Sequence, residues 1–340
     1  MWEPGNGEML RIPFETLHGV MTDALLRTGM PPDRASVCAR LFAEASRDGI
    51  ASHGLNRFPR FLRMIARGVV DVHARPVCTA AAGALERWNG RRGPGNLNAR
   101  EAMGRAIALA RSHGIGCVAL ADTNHWMRGG SYGWQAAEAG AIGLCWTNTL
   151  ANVPPWGAED PRIGNNPLVV AFPRRRGHVV IDMALSQFSV GALTQYAARG
   201  EPLPVAGGFD ADGQLSHDAV AILASGRLLP VGSWKGSGLA IALDLIAAAL
   251  AAGKTTHQIA RDPEGETDLS QVFIAIDPET LGADGDVDRL ADAAIAHLTA
   301  GPGDVRYPGA RTLAVRARSL RDGVEVDPAI WAEVRAAAAG

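Results

Sequence analysis

The feature that most limits the fold of this chain is a strand-like apolar run, 117–121, followed at once by a loop rich in glycine and aromatic residues. The segment 123–134 holds one histidine, one arginine, two tryptophans and three glycines. A second segment, 52–60, has the same character and contains His53 and Arg57. Loops of this kind place functional groups well when a rigid scaffold carries them. The two segments therefore predict acid–base chemistry on an anionic small molecule.

The composition is that of a soluble globular protein and argues against several classes of partner. The 340 residues, 47% hydrophobic and 20% charged, suffice for one large or two modest domains. A formal net charge of −2 gives no reason to expect nucleic acid or an anionic membrane. The most apolar run, 239–252, is interrupted by Asp244 and falls short of the ~20 residues of a membrane helix. Residues 1–13 lack the pattern of a secretory signal, so we expect a cytoplasmic protein.

The cysteines and histidines do not form a pattern typical of a metal site. The four cysteines, Cys38, Cys78, Cys117 and Cys145, are widely spaced and include no Cys-x-x-Cys pair. Three of them have mostly apolar neighbours, which predicts buried free thiols. The nine histidines are scattered singly, so no metal ion is expected.

Apolar spacing predicts a mixture of helices and strands. Helices are predicted over 32–49, 59–67, 98–112, 133–139, 237–252, 286–298 and 327–339. Strands are predicted over 85–88, 116–121, 142–147, 168–172, 178–183 and 271–276. From this order we expect an α/β domain at 77–225, inserted into a mainly helical domain formed by 1–76 and 226–340.

Three standard ligand-binding motifs fail on inspection. The nearest match to the Gly-x-Gly-x-x-Gly dinucleotide motif begins at Gly114, but a predicted helix precedes it and a strand follows. Lys235 lies in a Lys-Gly-Ser-Gly segment that lacks the glycine spacing of a P-loop. The Asp-rich turn at Asp210 has Ala221 where a calcium loop needs glutamate.

The pair His53 and Arg57 suits a 2-oxo acid. If the segment is helical, residues four apart share one face. The guanidinium would then bind the carboxylate while the imidazolium gives a proton to the adjacent oxygen. A helix-capping histidine beside a surface arginine is the alternative, and the residues alone leave both open.

Three further places have both a functional and a structural interpretation, and a fourth has a functional one. His125, just after the strand, is either an acid–base group or an ordinary loop histidine. Arg128 either anchors an anion or holds the glycine-rich loop in place. Asp182, at the end of a predicted strand, either orients a histidine beside a bound cofactor or caps a helix. The segment 234–238 offers backbone N–H groups and the Lys235 cation to an anion.

Together these segments resemble the malate/L-lactate dehydrogenase type 2 family, the non-Rossmann nicotinamide-dependent oxidoreductases. The resemblance rests on four short motifs and runs from about His53 to Asp277, continuing more weakly to Trp331. Within the family, members that act on sugar acids are especially similar at 56–61, 124–137, 205–210 and 234–238. The motifs are Ser-His-Gly-x-x-Arg at 52–57, Asn124-His125, Thr147-Asn148 with 155–157, and Asn-Pro-Leu at 166–168.

The resemblance implies a fold and a reaction. The fold would be a non-Rossmann α/β fold, with cofactor and substrate in the cleft between the two domains. The reaction would be NADH-dependent reduction of a sugar-acid 2-oxo group beside a carboxylate, with NADPH as the alternative cofactor and a homodimer as the assembly. Reduction of another 2-oxo acid or of a cyclic imino acid is the alternative within the family. A sugar-acid-binding protein without a cofactor is the alternative outside enzymes.

The resemblance also implies roles for individual residues. His53 would donate the proton, Arg57 would bind the carboxylate, and His125 and Asp182 complete the catalytic set. Relatives tend to have His-Glu where this chain has Ala310-Arg311, a change that removes side-chain contacts and could favour NADPH. The residues implied in cofactor binding are His178, Val179, Val180, Ile181, Asp182, Met183, Ala184, Trp234, Lys235, Gly309, Ala310 and Arg311.

Overall fold

The computed structural model describes residues 9–282 and 286–340, so the prediction of no secretory signal falls mostly outside the described residues. The α-helices are α1 (Phe14–Arg27), α2 (Pro32–Arg47), α3 (Phe58–Ala66), α4 (Gly95–His113), α5 (Gly130–Glu138), α6 (Val190–Arg199), α7 (Ala219–Ser225), α8 (Trp234–Ala251), α9 (Asp286–Thr299), α10 (Ala310–Asp322) and α11 (Pro328–Ala339). The strands are β1 (Leu10–Ile12), β2 (Val77–Ala82), β3 (Leu85–Asn89), β4 (Ile115–Thr123), β5 (Ile142–Thr147), β6 (Leu168–Phe172), β7 (Val179–Met183), β8 (Gly208–Phe209), β9 (Leu215–Ser216), β10 (Arg227–Leu228), β11 (Leu269–Ile276) and β12 (Val324–Val326).

Seven strands form one mixed sheet in the order β2-β3-β4-β11-β5-β6-β7. Strands β3 and β4 pair in parallel, and α4 makes the crossover between them. The other neighbouring pairs in this sheet are antiparallel. A Rossmann sheet is mostly parallel. The predicted non-Rossmann α/β fold is therefore confirmed.

The centre of the sheet is β11, which comes from the C-terminal part of the chain. Gln271 pairs with Leu120 of β4 on one side and with Thr147 of β5 on the other. The predicted α/β domain at 77–225 therefore does not contain the whole sheet. The range 77–225 omits β11, which lies between β4 and β5 in the sheet. The rest of the division into domains stays a prediction.

Helices cover both faces of the sheet, and β11 contributes to both layers because side chains alternate along a strand. Phe273 packs with residues of α4 and α5 on one face, whereas Val272 packs with α8 on the other. Among the described helices, α8 alone has the length and hydropathy of a membrane span. Its Ala240 and Leu243 are buried against the sheet, so one side of this apolar helix belongs to the core.

A second core joins the N-terminal helices to the C-terminal end of the chain. It contains Leu17 of α1, Phe42 of α2, Phe61 of α3 and Val334 of α11. Strands β1 and β12 pair in the same region. This core holds the end of α2 and the start of α3 next to the sheet. His53 and Arg57 lie between these two helices.

Most predicted elements are confirmed to within a few residues, and the predictions at 142–147 and 168–172 match β5 and β6. The apolar spacing did not predict α1, α6, α7 and α10, nor the strands β1, β2, β8, β9, β10 and β12. Helix α10 is rich in arginine and buries only Ser319 fully, so it lacks a clear apolar stripe. Gly309 is the N-cap residue of α10, so Ala310 and Arg311, two of the implied cofactor residues, lie in the first turn of this helix.

The cysteines are free thiols with graded burial. Cys38 and Cys145 are buried, Cys117 is half-buried and Cys78 is exposed. Burial raises the pKa of Cys38 to about 12 and that of Cys117 to about 11, so both thiols stay protonated at neutral pH.

The glycine-rich loop lets α5 lie directly on the sheet. A Cβ atom at Gly133 would come within 2.7 Å of Val169 Cγ1 and 3.2 Å of Ala171 Cβ, both on β6. Separations that short are repulsive, so a larger residue would push α5 away from the sheet. The glycine here is required by close packing and not by backbone angle.

We expect Gly133→Ala to lower the free energy of unfolding by about 1–3 kcal/mol, because the added methyl group overpacks the contact with β6. Urea denaturation of both proteins measures this difference. Gly19→Ala is the matched control, since a Cβ there would meet nothing within 4 Å and the residue lies inside α1. That substitution should stabilise by about 0.5–1 kcal/mol. Equal stability of Gly133→Ala and wild type would contradict the packing argument.

Candidate active site

His53 lies on two short 3-10 turns between α2 and α3. The turns are Ala51–His53 and Leu55–Arg57, and Gly54 separates them. A Cβ atom at Gly54 would come within 2.1 Å of Ser46 Oγ, which itself accepts a hydrogen bond from the Leu55 N–H at 2.8 Å. The condition for His53 and Arg57 to share one helix face, a helix through both, is therefore not met.

His125 follows β4 and faces His53. The two rings stack with their centroids 5.7 Å apart and their planes at 23°. The Met127 N–H donates to His125 Nδ1 at 3.0 Å. Because Nδ1 is an acceptor, the neutral ring carries its proton on Nε2. In His53, Nδ1 lies 3.1 Å from Ser52 Oγ.

Both histidines are neutral at pH 7. Burial lowers the pKa of His53 to about 4, and the charges of Arg57 and Arg128 act in the same direction. Burial also holds the pKa of His125 well below its usual range, helped by Arg57, His53 and Arg60. A negative charge placed beside either ring would raise its pKa, because it favours the imidazolium form.

The two rings line a cavity of about 480 Å³, a size typical of a small-molecule site. Asp182 and Ala184, at the end of β7, line the same cavity. The Gly130 N–H at the start of α5 donates to Asp182 Oδ2 at 2.8 Å. Burial raises the pKa of Asp182, whereas Arg128 and the Gly130 N–H lower it. Asp182 thus caps α5, and the described residues include no hydrogen bond from it to a histidine.

A buried carboxylate, Asp48, connects the cavity wall to α10. Its two oxygens accept from Arg47 Nε at 2.8 Å, from Arg128 Nη1 at 2.6 Å and from Arg316 at 2.7 and 2.8 Å. Burial alone would raise the pKa of Asp48. The hydrogen bonds and charges of the arginines outweigh burial and hold the pKa well below its usual range. The Arg316 guanidinium also stacks on Trp134, 4.6 Å from the ring centre.

Several predicted site residues do not line this cavity. Arg57 points to Glu266, with Nη2 3.6 Å from Oε2. His178 packs against Trp134 and accepts a hydrogen bond from the Arg174 N–H. Their roles, and those of the remaining residues, stay predictions. The predicted cofactor residues outside the cavity wall are His178, Val179, Val180, Ile181, Met183, Trp234, Lys235, Gly309 and Ala310.

The structure does bring two predicted cofactor segments together. The Val180 N–H, on the outer edge of β7, donates to Pro308 O at 3.0 Å. Arg311, in the first turn of α10, lines the cavity together with Asp182 and Ala184. In contrast, Trp234 and Lys235 are exposed at the start of α8.

Asp48 is the site residue that sequence reasoning missed. Its partners Arg128 and Arg316 lie 80 and 268 residues away, so no local pattern links them. The only local signal was an acidic residue at the end of a predicted helix, which is common on protein surfaces. In residues 9–282 and 286–340, no three His, Cys, Asp or Glu side chains form a candidate metal site.

Comparison with known proteins gives one consistent family. The sequence pattern of the malate/L-lactate dehydrogenase family matches residues 12–335. The chain is 42% identical over 332 residues to the 2,3-diketo-L-gulonate reductases of Shigella boydii and Escherichia coli, covering 96% of this chain and 100% of theirs. Among solved structures, the Δ1-piperideine-2-carboxylate reductase of Pseudomonas syringae superimposes with a TM-score of 0.88 at 31% identity, covering 96% of this chain and 99% of that one. A putative malate/lactate dehydrogenase from E. coli gives a TM-score of 0.90 at 28% identity, with 97% and 95% covered.

We expect Asp48→Asn to lower the free energy of unfolding at pH 7 by about 3–5 kcal/mol, because it leaves buried arginine charges without a counter-charge. Urea denaturation measures the loss, with Asp23→Asn on the exposed side of α1 as control.

The same pair of proteins tests the depressed pKa. A carboxyl whose folded pKa is depressed contributes stability above its unfolded pKa of about 3.9 and loses it as the pH falls toward the folded value. The difference between wild type and Asp48→Asn should therefore be constant from pH 7 to about 5 and shrink below about pH 4. A difference that already disappears at pH 6 would contradict the ion cluster.

Proposed function

The chain belongs to the malate/L-lactate dehydrogenase family, and from that premise we propose that it reduces 2,3-diketo-L-gulonate to 3-dehydro-L-gulonate with NADH. It is an oxidoreductase, as its relatives are. The substrate is supported by 42% identity to reductases of that name over 96% of the chain. The observation that carries the proposal is the stacked, neutral pair His53–His125 on the wall of a cavity that also contains Arg128.

The cavity wall fits a nicotinamide dinucleotide. The end of β7 contributes Asp182 and Ala184, and the first turn of α10 contributes the cation Arg311. A helix N-terminus with a cation beside it suits a phosphate group. A bound nicotinamide would supply the hydride for the substrate carbonyl carbon. Arg311 also suits the 2′-phosphate of NADPH, which is the alternative cofactor.

The two histidines would have different roles at the substrate carbonyl oxygen. His125 keeps its Nε2–H while neutral and can donate a hydrogen bond to the carbonyl oxygen, as other neutral catalytic histidines do. His53 would be the acid that protonates the same oxygen, from Nε2, since its Nδ1 faces Ser52. A substrate carboxylate raises the pKa of His53 by offsetting the charges of Arg57 and Arg128.

Reduction of a cyclic imino acid is the second candidate, favoured by 31% identity to the Δ1-piperideine-2-carboxylate reductase. An imine that is already protonated needs less help from His53 after hydride transfer.

A homodimer also belongs to this proposal, because Leu245, Ile246 and Ile241 leave apolar surface exposed on α8 that a second copy could cover. The cytoplasmic location likewise remains a prediction.

The direct test is the loss of NADH absorbance with a panel of acceptors, repeated with NADPH. We expect turnover of 2,3-diketo-L-gulonate to exceed that of pyruvate, oxaloacetate and Δ1-piperideine-2-carboxylate. Preference for one of the other acceptors would move the substrate but keep the reaction. No turnover with any acceptor, together with no NADH binding, would contradict the proposal.

We expect His53→Ala to lower kcat/KM for reduction by about 10²–10⁴-fold, the usual contribution of a positioned general acid. His113→Ala, at the exposed end of α4, is the control for a lost imidazole outside the cavity. An unchanged kcat/KM in a folded His53→Ala protein would remove His53 from the mechanism.

The pKa of His53 also predicts the pH profile. The reaction needs protonated His53, and above a pKa of about 4 the protonated fraction falls tenfold for each pH unit. kcat/KM for reduction should therefore fall with a slope near −1 between about pH 5 and 8. A plateau in kcat/KM that extends to pH 6.5 would show that the pKa of His53 is not lowered in the free enzyme, or that His53 is not the acid.

A further inference from the structure

The arginine that the sequence assigns to the substrate carboxylate lies outside the cavity. Arg57 does not contribute to the cavity wall, and its guanidinium faces Glu266. Glu266 in turn accepts a hydrogen bond from the Leu150 N–H at 3.2 Å, which fixes it beside Arg57. The charge of Arg57 is thus already directed to a buried carboxylate, and another cation is available inside the cavity.

Arg128 is the buried cation of the cavity wall. The described cations that line the cavity are Arg128, Arg311 and Arg318, and of these Arg128 is 6% exposed whereas the other two are exposed. Arg128 Nη1 donates to Asp48, but its Nε is buried and has no hydrogen-bond partner. Within the described residues its Nη2 makes no hydrogen bond and is not enclosed, so this nitrogen is the one that a ligand in the cavity can reach.

Asp48 cannot neutralise Arg128 by itself. One carboxylate accepts hydrogen bonds from three guanidinium groups, those of Arg47, Arg128 and Arg316. Asp48 therefore fixes the position of Arg128 at the cavity wall, where Asp182 is a second carboxylate close enough to interact with it. Such a preorganised cation suits a carboxylate, which guanidinium binds through charge-assisted hydrogen bonds.

The chain places this cation beside the histidines. Arg128 follows His125 by three residues on the same loop, and Asp48 precedes His53 by five residues. The ion pair thus joins the two segments that carry the rings. We infer that Arg128 binds the substrate carboxylate and so sets the adjacent carbonyl beside His53 and His125, an inference that rests on the proposed reduction of a 2-oxo acid.

The experiment compares Arg128→Met with Arg47→Met. Both remove one hydrogen bond to Asp48, but Arg47 does not line the cavity. For a 2-oxo acid acceptor, Arg128→Met should raise KM by about 10–150-fold, which corresponds to one lost hydrogen bond to a charged group. For the methyl ester of the same acid, KM should not change. Arg47→Met should leave both values near those of wild type.

Equilibrium binding separates this inference from the proposed reaction. Oxalate, a dicarboxylate that needs no turnover, is titrated into wild type and both variants by calorimetry. Arg128→Met should weaken oxalate binding by the same factor, and Arg128→Lys should give an intermediate value because it keeps the charge but loses the planar pair of donors. Thermal unfolding checks that each variant is folded. We expect folded proteins, because Asp48 keeps at least two arginine partners in each variant.

Three results would overturn the inference. The first is an equal rise in KM in Arg128→Met and Arg47→Met, and the second is an equal rise for the acid and its methyl ester in Arg128→Met. The third is a rise in KM for the acid alone in Arg57→Met that Arg128→Met does not show. Failure of the proposed reaction looks different. Wild type would then turn over no acceptor, while oxalate binding would still report on Arg128.

Discussion

The site depends on one buried negative charge, that of Asp48. Its carboxylate joins Arg47 at the end of α2, Arg128 in the loop after β4 and Arg316 on α10. Three parts of the chain that are distant in sequence are thus held at one point. The ion cluster fixes the relative positions of the two histidine segments and holds Arg128 at the cavity wall.

Burial is the main cause of the neutral state of the two histidines. Burial and neighbouring arginines keep the pKa of both His53 and His125 below the usual range, so each ring is neutral before a ligand arrives. The Met127 N–H fixes the tautomer of His125 by occupying Nδ1. Local backbone geometry thus fixes the tautomer of one ring, and a nearby anion would raise the pKa of the other.

The sheet shows how far local patterns can predict a fold. Short, mostly apolar runs predicted β5, β6 and β11 correctly, since each strand packs on a core. They could not show that β11 lies between β4 and β5, because strand order depends on contacts between distant segments. Helix α10 was missed because its arginines serve ion pairs and ring contacts instead of an apolar stripe.

By itself, the sequence determined the α/β class, most helix and strand positions and the family, and it singled out the two histidines that line the cavity. These features are carried by residue type and local spacing, which do not depend on the rest of the fold. Tertiary structure alone decided that Arg57 faces Glu266, that Arg128 lines the cavity, and that Asp48 links it to α10. The reason is physical: the partner and charge state of a buried group are set by groups brought near it through folding, whatever their distance along the chain.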